Sequence, residues 1–317
     1  MHLPLVKEEQ KSPNMDKSEK ELNSLIYLLD DPDREIYSNV KTKLIGFGKQ
    51  VLERLESTWE FTQDELVQER IEEIIHQINF EQLKGRFSEW LDADTHDLFD
   101  GINLVCTYQY PDLNFERIKS ILRILKKDIW LEMGLNYSPI KSITIFNRLF
   151  FESYGFKAVN HTNETPQYLY INHVLSAKKG EPLSISLIYI LLANQLNIPV
   201  HAIALPNNQI ILAYLTHPFN PVLPAYSYDG DIEFLINPAE QGGIFNKDHF
   251  LRYLKANGFP ADLREYAPCT NIQLIRILLD NIGQYYETHN RFNKSSELKE
   301  LISMLDQFLD KLKEAAK

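Results

Sequence analysis

Cysteine is scarce in this chain of 317 residues: only Cys106 and Cys269 are present. Two thiols exclude a disulfide framework and leave too few ligands for a Cys-rich metal centre, so neither metal nor cofactor is expected. Basic residues are in deficit, 33 Lys plus Arg against 44 Asp plus Glu, for a formal net charge of −11. Nucleic acid is therefore not expected as a partner, because phosphate contacts need clustered Lys and Arg. The most apolar run, Leu183 to Ala193, meets Asn194-Gln195 well short of the roughly 18–20 residues that span a bilayer. Met1 to Met15 carries no apolar signal segment. Phosphate-loop chemistry is missing too: Gly242-Gly243 runs into Ile244-Phe245 rather than Lys-Ser/Thr, and no dinucleotide fingerprint occurs. A soluble, cytoplasmic chain with no membrane partner is expected. What is present is 44% hydrophobic and 24% charged residues, enough for one large or two modest cores.

Residues 1–17 show no periodicity and are expected to form a disordered tail. From Ser18, Leu22, Leu25, Ile26 and Leu29 fall at helical spacing, and Asp31-Pro32-Asp33 stops one helix and caps the next. A second helix carries Val40, Leu44, Val51, Leu52 and Leu55, weakened at Gly46 and Gly48. A third, from about Gln63, turns Leu66, Ile71, Ile74, Ile75 and Ile78 inward. Helix pairs joined by Asp/Pro turns resemble HEAT-type repeats. Helical spacing continues through Asp94 to Thr107 and through Ile118, Ile121, Leu122, Leu125, Ile129 and Trp130. Another helix runs from Ser138-Pro139 through Leu149, ended by Gly155. Leu183 to Leu196 is apolar on most sides and so reads as a central helix. Strands follow at Ile198–Leu205, Ile210–Leu215 and Ile232–Ile236, with turns at Pro206-Asn207-Asn208, Asp229-Gly230-Asp231 and Gln241-Gly242-Gly243. Helices return from Lys247, then over Ile272–Tyr286 and Leu298–Leu312. The fold class is α+β, organised as the tail, a HEAT-like region 18–135, a core 136–266 and a C-terminal helical extension 267–317.

The motifs of the core fall in a familiar order. Phe146-Asn147-Arg148-Leu149-Phe150-Phe151 and Gly155-Phe156 are followed by Ile171-Asn172-His173-Val174-Leu175. Next come Lys179-Gly180-Glu181-Pro182-Leu183-Ser184, Leu196-Asn197-Ile198-Pro199 and Leu205-Pro206-Asn207. Phe234-Leu235-Ile236-Asn237-Pro238 and Gly242-Gly243 close the series. In this order and spacing they resemble the SirB-type branch of transglutaminase-like proteins. The resemblance implies a papain-like core in which a central helix faces a small antiparallel sheet. In catalytic members a Cys opens that helix, a His lies on one strand and an Asp on the next. The helix dipole and an imidazolium favour thiolate, the His moves the proton, and the carboxylate sets its tautomer.

Here the nucleophile position falls on Pro182. The His position falls on Gln209, or on Asn208 one residue earlier, and the Asp position on Asn237. None of these side chains can act as nucleophile or base near neutral pH. The implication is a transglutaminase-like fold without transglutaminase chemistry. Cys106 reads as a buried packing residue and Cys269 as structural. Ser184 and Ser186, in the first turns of the central helix, lack a base and read as local capping; Ser184, so close to Pro182, is also counted with Pro182, Asn208, Gln209 and Asn237 among the candidate cleft residues. His173 and His201 share no metal-ligand spacing, and His249 opens a helix at the surface. Two readings stand for Asn207, Asn208, Gln209 and Asn237: a polar cleft that holds a ligand, or turn residues that satisfy backbone. Three functions follow. The first is a non-enzymatic interaction or regulatory scaffold with a protein partner. The second is a hydrolase or peptidase with a relocated nucleophile in the same cleft, and the third a purely helical adaptor.

Overall fold

The computed structural model describes residues 13–134, 137–159, 165–206, 209–217, 219–222 and 231–315. The chain divides into two compact units, Met1–Leu83 and Lys84–Lys317. The division falls within a helix. Residues 1–12 of the expected tail lie outside the described residues, and Pro13, suited to a first helical turn, already opens a helix.

The N-terminal unit contains α1 (Pro13–Tyr27), α2 (Arg34–Phe47), α3 (Leu52–Phe61) and most of α4 (Glu65–Asp92). The Asp33 side chain caps α2 by accepting from the Glu35 amide at 2.8 Å. The expected second helix is two helices. Gly48, with φ of +60°, ends α2, and a 3-10 turn over Gly48–Val51 redirects the chain into α3. Leu29, Leu44, Val51, Leu55, Ile71 and Ile74 make the fully buried centre of this unit. Leu66, expected inward, is instead exposed. Arg70 on α4 is buried and earns its place by closing the α1–α2 turn. Its Nη1 donates to the Leu29 and Asp31 carbonyls at 2.7 and 2.6 Å, and its guanidinium lies 4.2 Å from the Tyr37 ring centre.

The second unit runs through α5 (Leu98–Gln109), α6 (Phe115–Glu132) and α7 (Pro139–Asn147), followed by a π-helical turn over Arg148–Ser153. Next come β1 (Lys157–Ala158), α8 (Ile171–Ala177), β2 (Lys179–Gly180) and α9 (Pro182–Gln195). The sheet strands are β3 (Val200–Ala204), β4 (Ile210–Leu215), β5 (Ile232–Asn237) and β6 (Gly243–Phe245). Helices α10 (Lys247–Ala256), α11 (Asn271–Thr288) and α12 (Phe292–Ala315) complete it. Trp130, aligned with the apolar face of α6 by spacing, is exposed. The Asp229-Gly230 turn lies outside the described residues.

Strands β3 to β6 form one antiparallel sheet in sequence order, while β1 and β2 pair in parallel. The sheet is covered on both faces. Ile203, Ile211, Ala213 and Leu235 pack with Phe250 and Leu254 of α10. The alternate residues Ala202, Leu212 and Ile236 lie opposite one another in register and are buried on the other face. There α9 packs against β3 and β4. Double coverage explains why Ile210 to Ala213 is an unbroken apolar run rather than an alternating one. Every residue of α9 from Leu183 to Ala193 is buried, as a helix apolar all round requires. Helices α11 and α12 pair through Ile275, Leu279, Ile282, Leu298, Leu301 and Leu305, all buried. A Thr270/Gln273 capping box starts α11. The architecture is mostly helical with a small antiparallel sheet, an α+β fold.

Candidate functional site

The start of α9 is pinned from below. At Gly180 an added Cβ would stand 2.6 Å from Val174 Cγ2, so only glycine lets β2 pass α8 at this distance. The Glu181 amide donates to the Tyr168 carbonyl at 3.0 Å. Glu181 is the N-cap and Pro182 the first helical residue, a position where the missing N–H costs no helical hydrogen bond.

In front of this helix start lies a cavity of about 630 Å³. Glu181, Pro182 and Leu183 form its floor. The β3–β4 connection contributes Leu205 and Gln209, and the ends of β4 and β5 contribute Ile210, Ile211 and Asn237. Ala239, Glu240 and the β6 residues Gly243, Ile244 and Phe245 form one wall. His249 and Tyr253 of α10 and Asn281 of α11 complete the lining. Pro182, Gln209 and Asn237, far apart in the chain, thus face a single space. Asn208 lies outside the described residues, as does Asn207. Ser184 is turned away: it is fully buried and its hydroxyl donates to the Leu169 carbonyl at 2.9 Å. Two residues on from Pro182, roughly 200° around the helix, it cannot share that face. Ser186 likewise donates to the Pro182 carbonyl at 2.7 Å.

Local hydrogen bonds hold the rim. The Leu205 amide donates to the Gln209 carbonyl at 2.8 Å and closes the β3–β4 turn. Asn237 Oδ1 accepts from the Ala239 amide at 3.1 Å, so at this residue the turn role and the cleft position coincide. Behind the rim, Asn147 Nδ2 donates to the Gly242 carbonyl at 2.7 Å, and Tyr189 on α9 donates to Asn147 Oδ1 at 2.8 Å. One amide thereby ties α7, α9 and the β5–β6 turn together.

Neither thiol reaches this space. Cys106 on α5 is buried, and burial pushes its pKa up to about 12; Cys269 is buried beside β3 with the same result. His173 lies against Tyr110, with ring centres 5.4 Å apart. His201 on β3 is buried edge-on to Phe219, and burial lowers its pKa to about 4. Of the histidines singled out by sequence, only His249 lines the cavity, with its ring tilted against Phe245 at 5.6 Å. Glu181, Glu240, Tyr253 and Asn281 were not marked by the sequence. For Glu181, its place directly before the helix-opening proline was a usable signal; Tyr253 and Asn281 come from later helices and offered none. Among the described residues the lining has no Cys, Ser, Thr, Lys or Arg, and no group of three or more His, Cys, Asp or Glu is placed to hold a metal ion. Among the described residues the cavity offers amide, carboxylate, imidazole and phenol groups for hydrogen bonding and no aliphatic alcohol or thiol for attack.

A family model described as "Transglutaminase-like superfamily" matches residues 116–280, just over half of the chain. A UPF0162 protein of Xylella fastidiosa (strain 9a5c) is 23% identical over 222 residues, covering 68% of this chain and 74% of that protein. A UPF0162 protein of Xylella fastidiosa (strain Temecula1 / ATCC 700964) is 24% identical over 122 residues, covering 38% of this chain and 43% of its own length. A UPF0162 protein of Buchnera aphidicola subsp. Baizongia pistaciae (strain Bp) is 26% identical over 114 residues, 32% of this chain and 42% of the relative. The chain therefore spans about three quarters of the first and under half of the other two. No solved structure matches. No helix among the described residues is long and apolar enough to cross a membrane.

Proposed function

The chain belongs to the transglutaminase-like superfamily, and from this premise we propose that it is a SirB-type member whose cleft binds without turning over, serving as an interaction or regulatory scaffold. The observation that carries the reading is Pro182. Where a thiol would sit at the first turn of α9, a saturated ring faces the cavity, with Gln209 and Asn237 across from it. A carboxamide neither gains nor loses a proton near neutral pH, so Gln209 cannot take one from a nucleophile and Asn237 cannot stabilise an imidazolium. What the three side chains can do is donate and accept directional hydrogen bonds around a guest. A hydrolase with a relocated nucleophile finds little support: the two thiols are buried away from the cavity and raised to about 12, and Ser184 and Ser186 spend their hydroxyls on carbonyls.

The reading extends to the remaining chain. Residues 18–135 are proposed as a HEAT-like surface for a protein partner, residues 136–266 as the papain-like core and residues 267–317 as its helical extension. Exposed Tyr27 and Phe61 supply apolar contact area in the first of these. The test is direct. The full chain is incubated at neutral pH with a casein glutamine donor and a fluorescent primary amine and, in a separate reaction, with iodoacetamide alone. No amine incorporation and no alkylation of the native protein are expected. Incorporation, or a rapidly labelled cysteine, overturns the proposal.

A further inference from the structure

The charge on the cavity wall suggests what it takes. We infer that the cavity at the start of α9 receives an organic cation, a guanidinium or ammonium group; this deepens the binding reading above and rests on it. The lining holds two carboxylates, Glu181 and Glu240, against no Lys or Arg among the described residues. Helix N-termini ordinarily attract anions through their unpaired N–H groups and the dipole. Here Pro182 removes one of those N–H groups, and the N-cap residue is itself Glu181. An anionic guest would meet a carboxylate where the helix would otherwise welcome it. Glu181 is only 7% exposed and already has a partner of its own, so Glu240, exposed on the cavity wall, is the carboxylate that a cationic guest meets; a charge in a concave site acts through less water than one on an open surface.

The remaining groups suit a cation as well. Gln209, Asn237 and Asn281 bring amide oxygens, each an acceptor with two lone pairs. Asn281 Nδ2 donates to the Ile277 carbonyl of its own helix at 2.8 Å, which leaves its oxygen as the other polar end. Phe245 and Tyr253 contribute aromatic rings, whose faces attract guanidinium and ammonium groups. A volume of about 630 Å³ accommodates more than the cationic head alone. An arginine or lysine side chain with adjoining peptide fits, as does a free polyamine.

Calorimetric titration of the full chain separates these sources. The probes are N-acetyl-arginine methylamide, spermidine, a short peptide with central arginine, and the same peptide with citrulline, which keeps the shape and removes the charge. Saturable binding of at least one cationic probe is expected. The citrulline peptide, and Glu240→Gln tested with the tightest probe, should each bind about ten-fold more weakly. Added salt should weaken the cationic complexes. Binding of the arginine peptide alone assigns the cation to a protein segment; equal binding of the free cations assigns a small molecule. Glu240 is exposed, so its neutral variant keeps the fold, as circular dichroism will verify. Equal affinity for arginine and citrulline, unchanged affinity in Glu240→Gln, or no saturable binding by any cation overturns the inference. Mass spectrometry of the same mixtures reads the underlying proposal separately, because a new covalent product removes the binding-only function whatever the charge dependence.

Discussion

Burial keeps the His201 imidazole neutral. On β3, with the Phe219 ring edge-on at 5.1 Å, its pKa falls from 6.5 to about 4 because the charged form would lose its water. In the unfolded chain the same ring titrates near 6.5, so as the solution is acidified the unfolded state takes up the proton first. Stability is full above about pH 6.5 and drains away as the pH falls toward 4, by on the order of 3 kcal/mol. Urea titrations across that range should show the loss, and His201→Gln should flatten it. A native protein equally stable at pH 4 and 6.5 contradicts the assignment. At this scale the sequence was most informative where a residue sits beside a conformational marker. Pro182 opens a helix, Gln209 closes a turn begun at Pro206, and Asn237 precedes Pro238, so their topological places could be read before any contact was known. Ser184 was misleading because neighbours along a helix point in different directions.

The β5–β6 turn is the element on which the cavity wall depends. Gly242 has φ of +76°, and an added Cβ would lie 2.5 Å from the Asn147 side chain. Gly242→Ala therefore combines backbone strain with displacement of the Asn147 amide, a cost on the order of 3 kcal/mol. Chemical denaturation should report it as a lower urea midpoint. Because Asn147 donates to the Gly242 carbonyl, Asn147→Ala added to Gly242→Ala should cost less than the separate losses summed; strict additivity argues against a shared contact. Elements with long apolar signatures were legible: α11 and α12 through helical spacing, and α9 and strands β3 to β5 as apolar runs bounded by polar residues or turn signals. Strand β6 was not. Gly243-Ile244-Phe245 is too short to alternate, and its glycine pair reads as a turn; only pairing with β5 makes it a strand. The break at Gly48 was half visible, since Gly46 two residues earlier carries the same weak signal yet stays helical.

Across the whole molecule, the net charge of −11 keeps copies apart at neutral pH. The sequence isoelectric point is near 5.4, so repulsion vanishes there while His201 is already eroding stability. Light scattering on a pH series should find maximal association near that value, with solubility recovering at higher pH; constant solubility from pH 7 to 5 contradicts this. The division between the two units was invisible in sequence because it falls inside α4, where helical periodicity runs on without a proline, glycine pair or change of composition. The cleft, by contrast, could be located through the order of its motifs. The Asn147 amide has one more use. Its NH₂ group is held by Gly242, 95 residues away, directly behind the wall that a guest would press against. In nitrogen-15 spectra its pair of side-chain resonances should stand apart from those of freely rotating asparagines, giving an indirect gauge of occupancy that needs neither a dye nor a change to the cavity.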